Sequence, residues 1–233
     1  MAERLFRGSS RRQGRAASGD QVLVVGLGRF GSGVAEELIS LGFEVLGVDG
    51  DAGRVQSLAD ELTHVVQADT TTEEALRQLG AADFRIAVVS IGTDIEASIL
   101  TTAALADIGV PNIWAKAVTT PHGRILERVG AHHVVFPEHE MGLRVAHLVG
   151  RRIIDWFQLD PDFAMVETEA PGELIGRSLA EVGVRGRYGV TVVCIKPVGQ
   201  GFTYATPESV IAEGDVLVVA GPTEAAEAFA QLA

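Results

Sequence analysis

Short apolar runs rich in valine and isoleucine alternate with helical patterns through the first 140 residues of the chain. The six runs lie at residues 22–25, 45–48, 64–68, 86–90, 113–117 and 133–136. A buried parallel strand is typically a continuous apolar run, and a helical pattern between two such runs indicates a right-handed βαβ unit. The alternation therefore predicts an α/β fold, a Rossmann-like doubly wound parallel sheet, over residues 20–140.

The pattern changes after this domain. A helical pattern from about residue 140 to residue 156 predicts a helix and linker over residues 141–160, and its apolar stripe needs a surface to cover it, either the sheet or a second copy of the chain. Shorter strand patterns and two short helical patterns follow. They predict a small α+β domain over residues 161–233.

Charge is distributed unevenly along the chain. The formal net charge is −12, but residues 1–19 contain five arginines and one glutamate, so the remainder carries −16. This predicts a basic flexible tail over residues 1–19 and argues against nucleic acid as the main partner, because phosphate contacts need clustered Lys and Arg. No stretch longer than 11 residues lacks a charged side chain. Since a membrane-spanning helix needs about 20 apolar residues, none is expected.

A glycine motif follows the first apolar run. Residues 26–31 have the spacing G-x-G-x-x-G, with Gly26, Gly28 and Gly31 as the glycines. The first permits a tight turn, the second lets the backbone approach a pyrophosphate, and the third lets the following helix pack close to the strand. The N-terminus of that helix offers N–H groups to phosphates. The motif predicts a nucleotide-binding loop, and the alternative is that the glycines serve packing alone.

An acidic residue lies at the distance that a ribose site requires. Asp49 ends the second apolar run, 21 residues after Gly28. A carboxylate there accepts hydrogen bonds from the ribose hydroxyls. Asp51 is close by, and two carboxylates would repel the 2′-phosphate of NADP. The pair therefore favours NAD or an adenine nucleotide over NADP.

Four further side chains are candidates for contact with the nucleotide, namely Arg29, Phe30, Asp69 and Lys116. Arg29 lies inside the motif beside Phe30, where a guanidinium can bind phosphate oxygens or remain a solvated loop residue. Asp69 ends the third run, where it can accept from the adenine amine or cap the turn that follows. Lys116 ends a buried run, so it is expected to meet a carboxylate or the nucleotide.

The sixth run is followed by a candidate metal ligand. Glu138 lies directly after Pro137, at the edge where open α/β sheets bind ligands. Mg²⁺ or Ca²⁺ accepts oxygen ligands from a carboxylate and phosphates together, which makes Glu138 a candidate cation ligand; the alternative is a cap on the next helix. His132 and His133 would point to opposite faces of a strand, so ordinary surface histidines are favoured over a metal cluster.

Taken together, these motifs resemble the cytosolic regulatory subunits of Trk/Ktr-type potassium transporters. The resemblance extends over about residues 20–232 and includes a C-terminal domain of the TrkA-C, or RCK-C, type. It rests on VVGLGRFG at 24–31, EVLGVD at 44–49, PNIWAKA at 111–117, FPEHEMG at 136–142, LIGRSL at 174–179 and EGDVLVVAG at 213–221.

The resemblance implies a subunit without catalytic activity that binds ATP or ADP, with NAD or NADH in some relatives. It implies homodimers that assemble into an octameric ring on a potassium-translocating membrane subunit of the KtrB or TrkH type, and hence a cytoplasmic location at the inner face of the membrane. Arg29 matches the residue that contacts the terminal phosphate, Asp49 the ribose-binding acid and Glu138 a glutamate that holds a divalent cation. The helix from about Met141 matches a dimer crossover helix.

One departure and two alternatives remain. Relatives that bind cyclic di-AMP carry a D-x-R…N pattern in the second domain, whereas here only Arg185 is retained, with Thr191 at the Asn position. A cyclic di-AMP site is therefore doubtful.

The first alternative is an NAD-dependent oxidoreductase, but that class needs a positioned acid or base after the sixth strand, and none is evident. The second, a DNA-binding repressor, would need a basic recognition helix.

Overall fold

The computed structural model describes residues 21–150 and 152–233, so the predicted basic tail over residues 1–19 lies outside the described residues. The chain forms two compact units, with the division after Glu138. Within the described part of the chain, none of the helices combines the length and the apolar character that a membrane span requires.

The N-terminal unit is a six-stranded parallel sheet in the order β3-β2-β1-β4-β5-β6, which confirms the predicted doubly wound fold. Its strands are β1 (Gln21–Val25), β2 (Glu44–Asp49), β3 (His64–Gln67), β4 (Ile86–Val89), β5 (Asn112–Lys116) and β6 (His133–Val135). The helices between them are α1 (Arg29–Ser40), α2 (Ala52–Ser57), α3 (Glu73–Gln78), α4 (Ile95–Ile108) and α5 (Thr120–Arg128), with a 3₁₀ turn at Ala81–Asp83.

Helices on both faces explain why the middle of each strand is largely apolar. On one face, Leu76 of α3, Leu105 of α4 and Leu126 of α5 are fully buried in a cluster with strand residues. On the other, Ala35 of α1 belongs to a second cluster that includes Val22. Burial of such side chains contributes roughly 1.5–3 kcal/mol each, which makes these two layers the main source of stability for the unit.

Helix α5 is the helix between strands of the N-terminal unit that the sequence patterns do not predict. Its sequence, TPHGRILER, is mostly polar, and its buried residues are His122, Gly123 and Leu126. The signals at its start are clear in retrospect, because Thr119 caps the helix by accepting from the His122 N–H and Pro121 lies in the first turn. Local capping chemistry, rather than apolar periodicity, marks this helix.

The C-terminal unit contains a five-stranded antiparallel sheet in the order β10-β9-β11-β8-β7, which confirms a small α+β domain. Its strands are β7 (Ile153–Asp160), β8 (Phe163–Glu169), β9 (Thr191–Lys196), β10 (Thr203–Tyr204) and β11 (Val216–Pro222). Its helices are α7 (Leu179–Val182), α8 (Val184–Tyr188) and α9 (Thr223–Ala230), with a 3₁₀ turn at Gly172–Leu174. Helix α6 (Pro137–Leu148) begins at the end of the first unit and continues into the second.

The prediction of one helix from about residue 140 to residue 156, with a linker to residue 160, is wrong in its second half. Helix α6 ends at Leu148, and Ile153–Asp160 is an edge strand paired antiparallel with β8. Trp156 lies opposite Val166 and is buried in the core of the unit. A short apolar run fits a helix and a strand equally well, and here the partner strand decides between them.

The stability of the N-terminal unit is expected to depend on pH through His122. This side chain is 2% exposed, and burial lowers its pKa below the usual 6.5. Below pH 6.5 the unfolded chain therefore binds more protons than the folded one, so the free energy of unfolding should fall as the pH drops through this range. Urea unfolding between pH 5 and 8 measures the slope.

The matched variants are His122→Gln, which removes the buried titrating group, and His139→Gln, which removes an exposed one. We expect the slope to shrink in the first variant and to stay unchanged in the second. An unaltered slope in His122→Gln would contradict the assignment.

Candidate functional site

The strand order creates a crevice at the carboxyl end of the sheet. β1 and β4 are neighbours, and the helices that follow them, α1 and α4, belong to core clusters on opposite faces. Ligands of open α/β sheets bind at such a switch point. The glycine motif begins directly after β1, so the fold places it at this crevice.

The three glycines of the motif have different environments. Gly26 has a φ of +88°, a left-handed conformation that favours glycine. A Cβ on Gly31 would overlap the Gly26 carbonyl oxygen and Ser90 Oγ, so helix and turn touch where only a hydrogen atom fits. No atom lies within 4 Å of a Cβ built on Gly28, so this side of the loop is open. The predicted turn at Gly26 and close packing at Gly31 agree with this geometry, and the approach of a pyrophosphate at Gly28 stays a prediction.

The N-terminus of α1 presents unused donors. Its N-cap is Gly28, which has no side chain to cap the helix. The Ser32 N–H donates to the Gly28 carbonyl oxygen at 2.9 Å. The backbone N–H groups of Arg29, Phe30 and Gly31 lie before Ser32, the first donor to a carbonyl within the helix, so the helix itself offers them no acceptor. Together with the helix dipole they form a site of the kind that binds anions.

Asp49 holds the loop in place from the end of β2. It is 7% exposed, and its Oδ2 accepts from the Leu27 N–H at 2.6 Å while its Oδ1 accepts from the Asp51 N–H at 2.8 Å. Arg54 Nη1 lies 3.3 Å from the same Oδ2. Asp51 caps α2 by accepting from the Arg54 N–H. The carboxylate is thus positioned by backbone amides and faces a cation that the sequence analysis missed.

Asp69 forms a local turn. It is exposed, and its Oδ1 accepts from the Thr71 N–H at 3.0 Å and from the Thr71 hydroxyl at 2.7 Å. The Thr71 N–H is the main cause that lowers the pKa of this carboxyl. Thr72, not Asp69, caps α3. These contacts fit the turn alternative, and a contact with adenine stays a prediction.

Lys116 and Glu138 form an ion pair. Lys116 Nζ donates to Glu138 Oε1 at 2.5 Å, although the lysine is the last residue of β5 and the glutamate follows β6. The lysine is 9% exposed, whereas the glutamate side chain is 66% exposed. The hydrogen bond from Lys116 lowers the pKa of Glu138, and the charge of Arg29 contributes in the same direction. The expectation that Lys116 meets a carboxylate is correct, with Glu138 as its partner.

His132 and His133, the histidines considered as metal ligands, each have a contact of their own. His132 Nδ1 accepts from the Ile113 N–H at 3.1 Å, and His133 stacks on Trp114 with ring centroids 4.1 Å apart. Within the described ranges, no group of three or more His, Cys, Asp or Glu side chains could hold a metal ion. His132 and His133 therefore each contact residues of β5.

Ser90 is a loop residue that the sequence analysis missed. It follows β4, and its hydroxyl donates to the carbonyl oxygens of Val25 and Gly26. A serine after an apolar strand is a weak signal by itself. Its role appears only because the sheet places β4 beside β1.

Comparison with known proteins gives consistent results for both units. The TrkA-N domain family matches residues 22–137, and the TrkA-C domain family matches residues 163–233. Ktr system potassium uptake protein A of Bacillus subtilis is 38% identical over 202 residues, covering 86% of this chain and 91% of that protein. Ktr system potassium uptake protein C of the same organism is 37% identical, covering 85% and 90%.

Solved structures show the same fold at lower identity. The GsuK RCK domain has a TM-score of 0.65 at 20% identity, covering 94% of this chain and 48% of that one. The GsuK channel bound to NAD has a TM-score of 0.64 at 20% identity, covering 100% and 42%. This chain therefore spans less than half of either structure. From its two domains and its identity to the Bacillus proteins, the chain belongs to the family of KtrA-type potassium uptake proteins, regulatory subunits built from a TrkA-N and a TrkA-C domain.

Proposed function

We propose that this chain is a nucleotide-sensing cytosolic subunit that controls a membrane potassium channel or transporter through ATP and ADP, with NAD or NADH as the other candidate ligands. The observation that carries the proposal is the convergence of an open glycine loop, a buried carboxylate and two cationic side chains at one edge of the sheet. The relatives named as potassium uptake proteins support the transport context. The role is regulatory rather than catalytic.

The residues of the loop fit a nucleotide. A phosphate can approach the backbone at Gly28, where the space is open, and receive hydrogen bonds from the first turn of α1. Asp49 retains one acceptor position for a ribose hydroxyl, because a carboxylate has about four lone-pair positions and Leu27, Asp51 and Arg54 occupy three of them. Arg29 and Lys116 bring positive charge to the same edge. Each of these features matches one chemical group of an adenine nucleotide.

A divalent cation fits only together with the nucleotide. Glu138 offers one exposed carboxylate, and no cluster of three metal-binding side chains surrounds it among the described residues. Mg²⁺ or Ca²⁺ would therefore need phosphate oxygens to complete its coordination. Such an ion would supply charge neutralisation between Glu138 and the phosphates.

Arg29 is expected to discriminate ATP from ADP. The side chain is exposed in the first turn of α1, where it can reach a phosphate that ADP lacks. A charge-assisted hydrogen bond contributes roughly 1.5–3 kcal/mol, so Arg29→Gln should weaken ATP binding about ten- to a hundredfold and ADP binding less. Isothermal titration calorimetry with both nucleotides measures the two losses. Equal losses would mean that Arg29 contacts only the phosphates that ATP and ADP share.

An uncovered groove supports a homodimer. A groove of about 340 Å³ lies on the face of the sheet against which α1 packs. Its lining includes Val34, Leu38, Phe43, Val88 and Trp114. Parallel sheets normally have both faces covered. Helix α6 carries exposed apolar residues, namely Met141, Leu143 and Val145. We propose that α6 of a second copy covers the groove and that these dimers form the octameric ring.

Reconstitution tests the proposed function directly. The chain is co-expressed with the potassium-translocating membrane subunit of its own organism, co-purified, and placed in proteoliposomes. Potassium flux should differ between saturating ATP and saturating ADP, and Arg29→Gln should reduce that difference. Failure of the two proteins to co-purify, or equal flux with both nucleotides, would contradict the proposal.

A further inference from the structure

We propose that Lys116 and a divalent cation are alternative partners of the Glu138 carboxylate, and that a nucleotide phosphate is what draws Lys116 away. The inference rests on the proposed nucleotide-binding function. It adds an order of binding to that function: the cation binds only after a nucleotide has bound. Lys116 is then a specificity-determining residue of the site.

The position of Lys116 supports an exchange of partners. Its Nζ donates to Glu138 Oε1 at 2.5 Å and lies 5.7 Å from the centre of the Phe30 ring in the glycine motif. A Cβ on Gly92, in the loop after β4, would lie 3.0 Å from Nζ and 3.3 Å from Cε. The ammonium group therefore lies between Glu138 and the two loops that border the crevice. A side chain at position 92 would crowd the ammonium group, whereas glycine leaves space beside it.

The charge around Glu138 opposes a metal ion when no nucleotide is bound. One carboxylate faces two cations, since Lys116 is bonded to it and the charge of Arg29 acts on it. A divalent cation would have to displace the lysine and enter a region of net positive charge. It would find no cluster of further acidic or histidine ligands among the described residues. The pair therefore excludes the cation.

A triphosphate reverses each of these conditions. It brings several negative charges and the oxygen ligands that Mg²⁺ or Mn²⁺ requires. It also offers the ammonium group a new partner, which matters because Lys116 is nearly buried and an unpaired buried charge is costly. When Lys116 moves to a phosphate, Glu138 is free to bind the cation. Nucleotide and cation should then raise each other's affinity by the same factor, as linkage requires.

Two affinities test the exchange in each variant: that of ATP in EDTA and that of ATP with saturating Mn²⁺, both measured by isothermal titration calorimetry. Glu138→Gln removes the carboxylate from which Lys116 would have to dissociate, and it also removes the cation ligand. We expect this variant to bind cation-free ATP about tenfold more tightly than the wild type and Mn²⁺–ATP about tenfold more weakly. Lys116→Met should do the opposite, with weaker cation-free ATP binding and a larger gain on adding Mn²⁺.

Lys196→Met, a change at an exposed lysine of the C-terminal unit, is the matched control and should leave both affinities unchanged. Thermal unfolding of each variant shows that it is folded, and the Glu138 side chain is exposed enough for its substitution to be tolerated. If wild-type protein binds no ATP under either condition, the proposed function fails and the exchange fails with it. If ATP binds but Glu138→Gln leaves cation-free ATP affinity unchanged or lowers it, the exchange alone is overturned.

Discussion

Gly31→Ala is expected to abolish nucleotide binding and to destabilise the N-terminal unit by about 3 kcal/mol or more. A methyl group at this position would overlap the Gly26 carbonyl oxygen and the Ser90 hydroxyl, and neither atom belongs to a flexible chain end. Gly26 is also anchored to β2, because its N–H donates to the Val48 carbonyl at 2.8 Å. Relief of the overlap would therefore move α1 away from the turn and destroy the phosphate-binding geometry.

Gly33→Ala is the matched control in the same helix. No atom lies within 4 Å of a Cβ built on Gly33, so the new methyl group meets open space. Replacing glycine by alanine inside a helix is expected to stabilise by about 0.5–1 kcal/mol. Urea unfolding and ATP titration of both variants distinguish the effect of the steric overlap at position 31 from a general effect of alanine in α1. Wild-type stability in Gly31→Ala would show that the contact between turn and helix is not tight in solution.

Asp49→Ala is expected to weaken ATP, ADP and NAD binding together, by at least tenfold each. The substitution removes the proposed ribose acceptor and leaves the Leu27 N–H, now bonded to Oδ2, without its partner in a buried turn. A buried donor without an acceptor costs about 1–3 kcal/mol, so stability should fall as well. Asp60→Ala, at an exposed carboxylate of the same unit, should change neither property.

The affinity for NADP tests whether Asp49 contacts the ribose. In the wild type, Asp49 and Asp51 disfavour a 2′-phosphate, and the guanidinium of Arg54 is engaged by Asp49. Asp49→Ala frees Arg54 to meet the extra phosphate. NADP affinity should therefore fall less than NAD affinity, or rise, in calorimetric titrations. Parallel losses for the two dinucleotides would contradict the assignment of Asp49 to the ribose.

Much of the fold follows from local chemistry that the sequence displays. The six strands can be recognised because a parallel strand with helices packed against the sheet is mostly apolar along its length. The glycine loop can be recognised because its conformation and close contacts exclude other residues at Gly26 and Gly31. Helix α5 escaped prediction because its surface is polar, and β7 was mistaken for a helix because five apolar residues in a run of seven satisfy both periods.

The sequence by itself determined the doubly wound domain, the glycine loop after β1 and the acid at the end of β2, because each depends on residues close together along the chain. Only the tertiary structure decided which side chains share the crevice. Lys116 meets Glu138 because β5 and β6 are neighbours, and Ser90 supports Gly26 because β4 lies beside β1. These contacts join residues 22 and 64 positions apart. Strand order alone brings them together, and no local pattern records strand order.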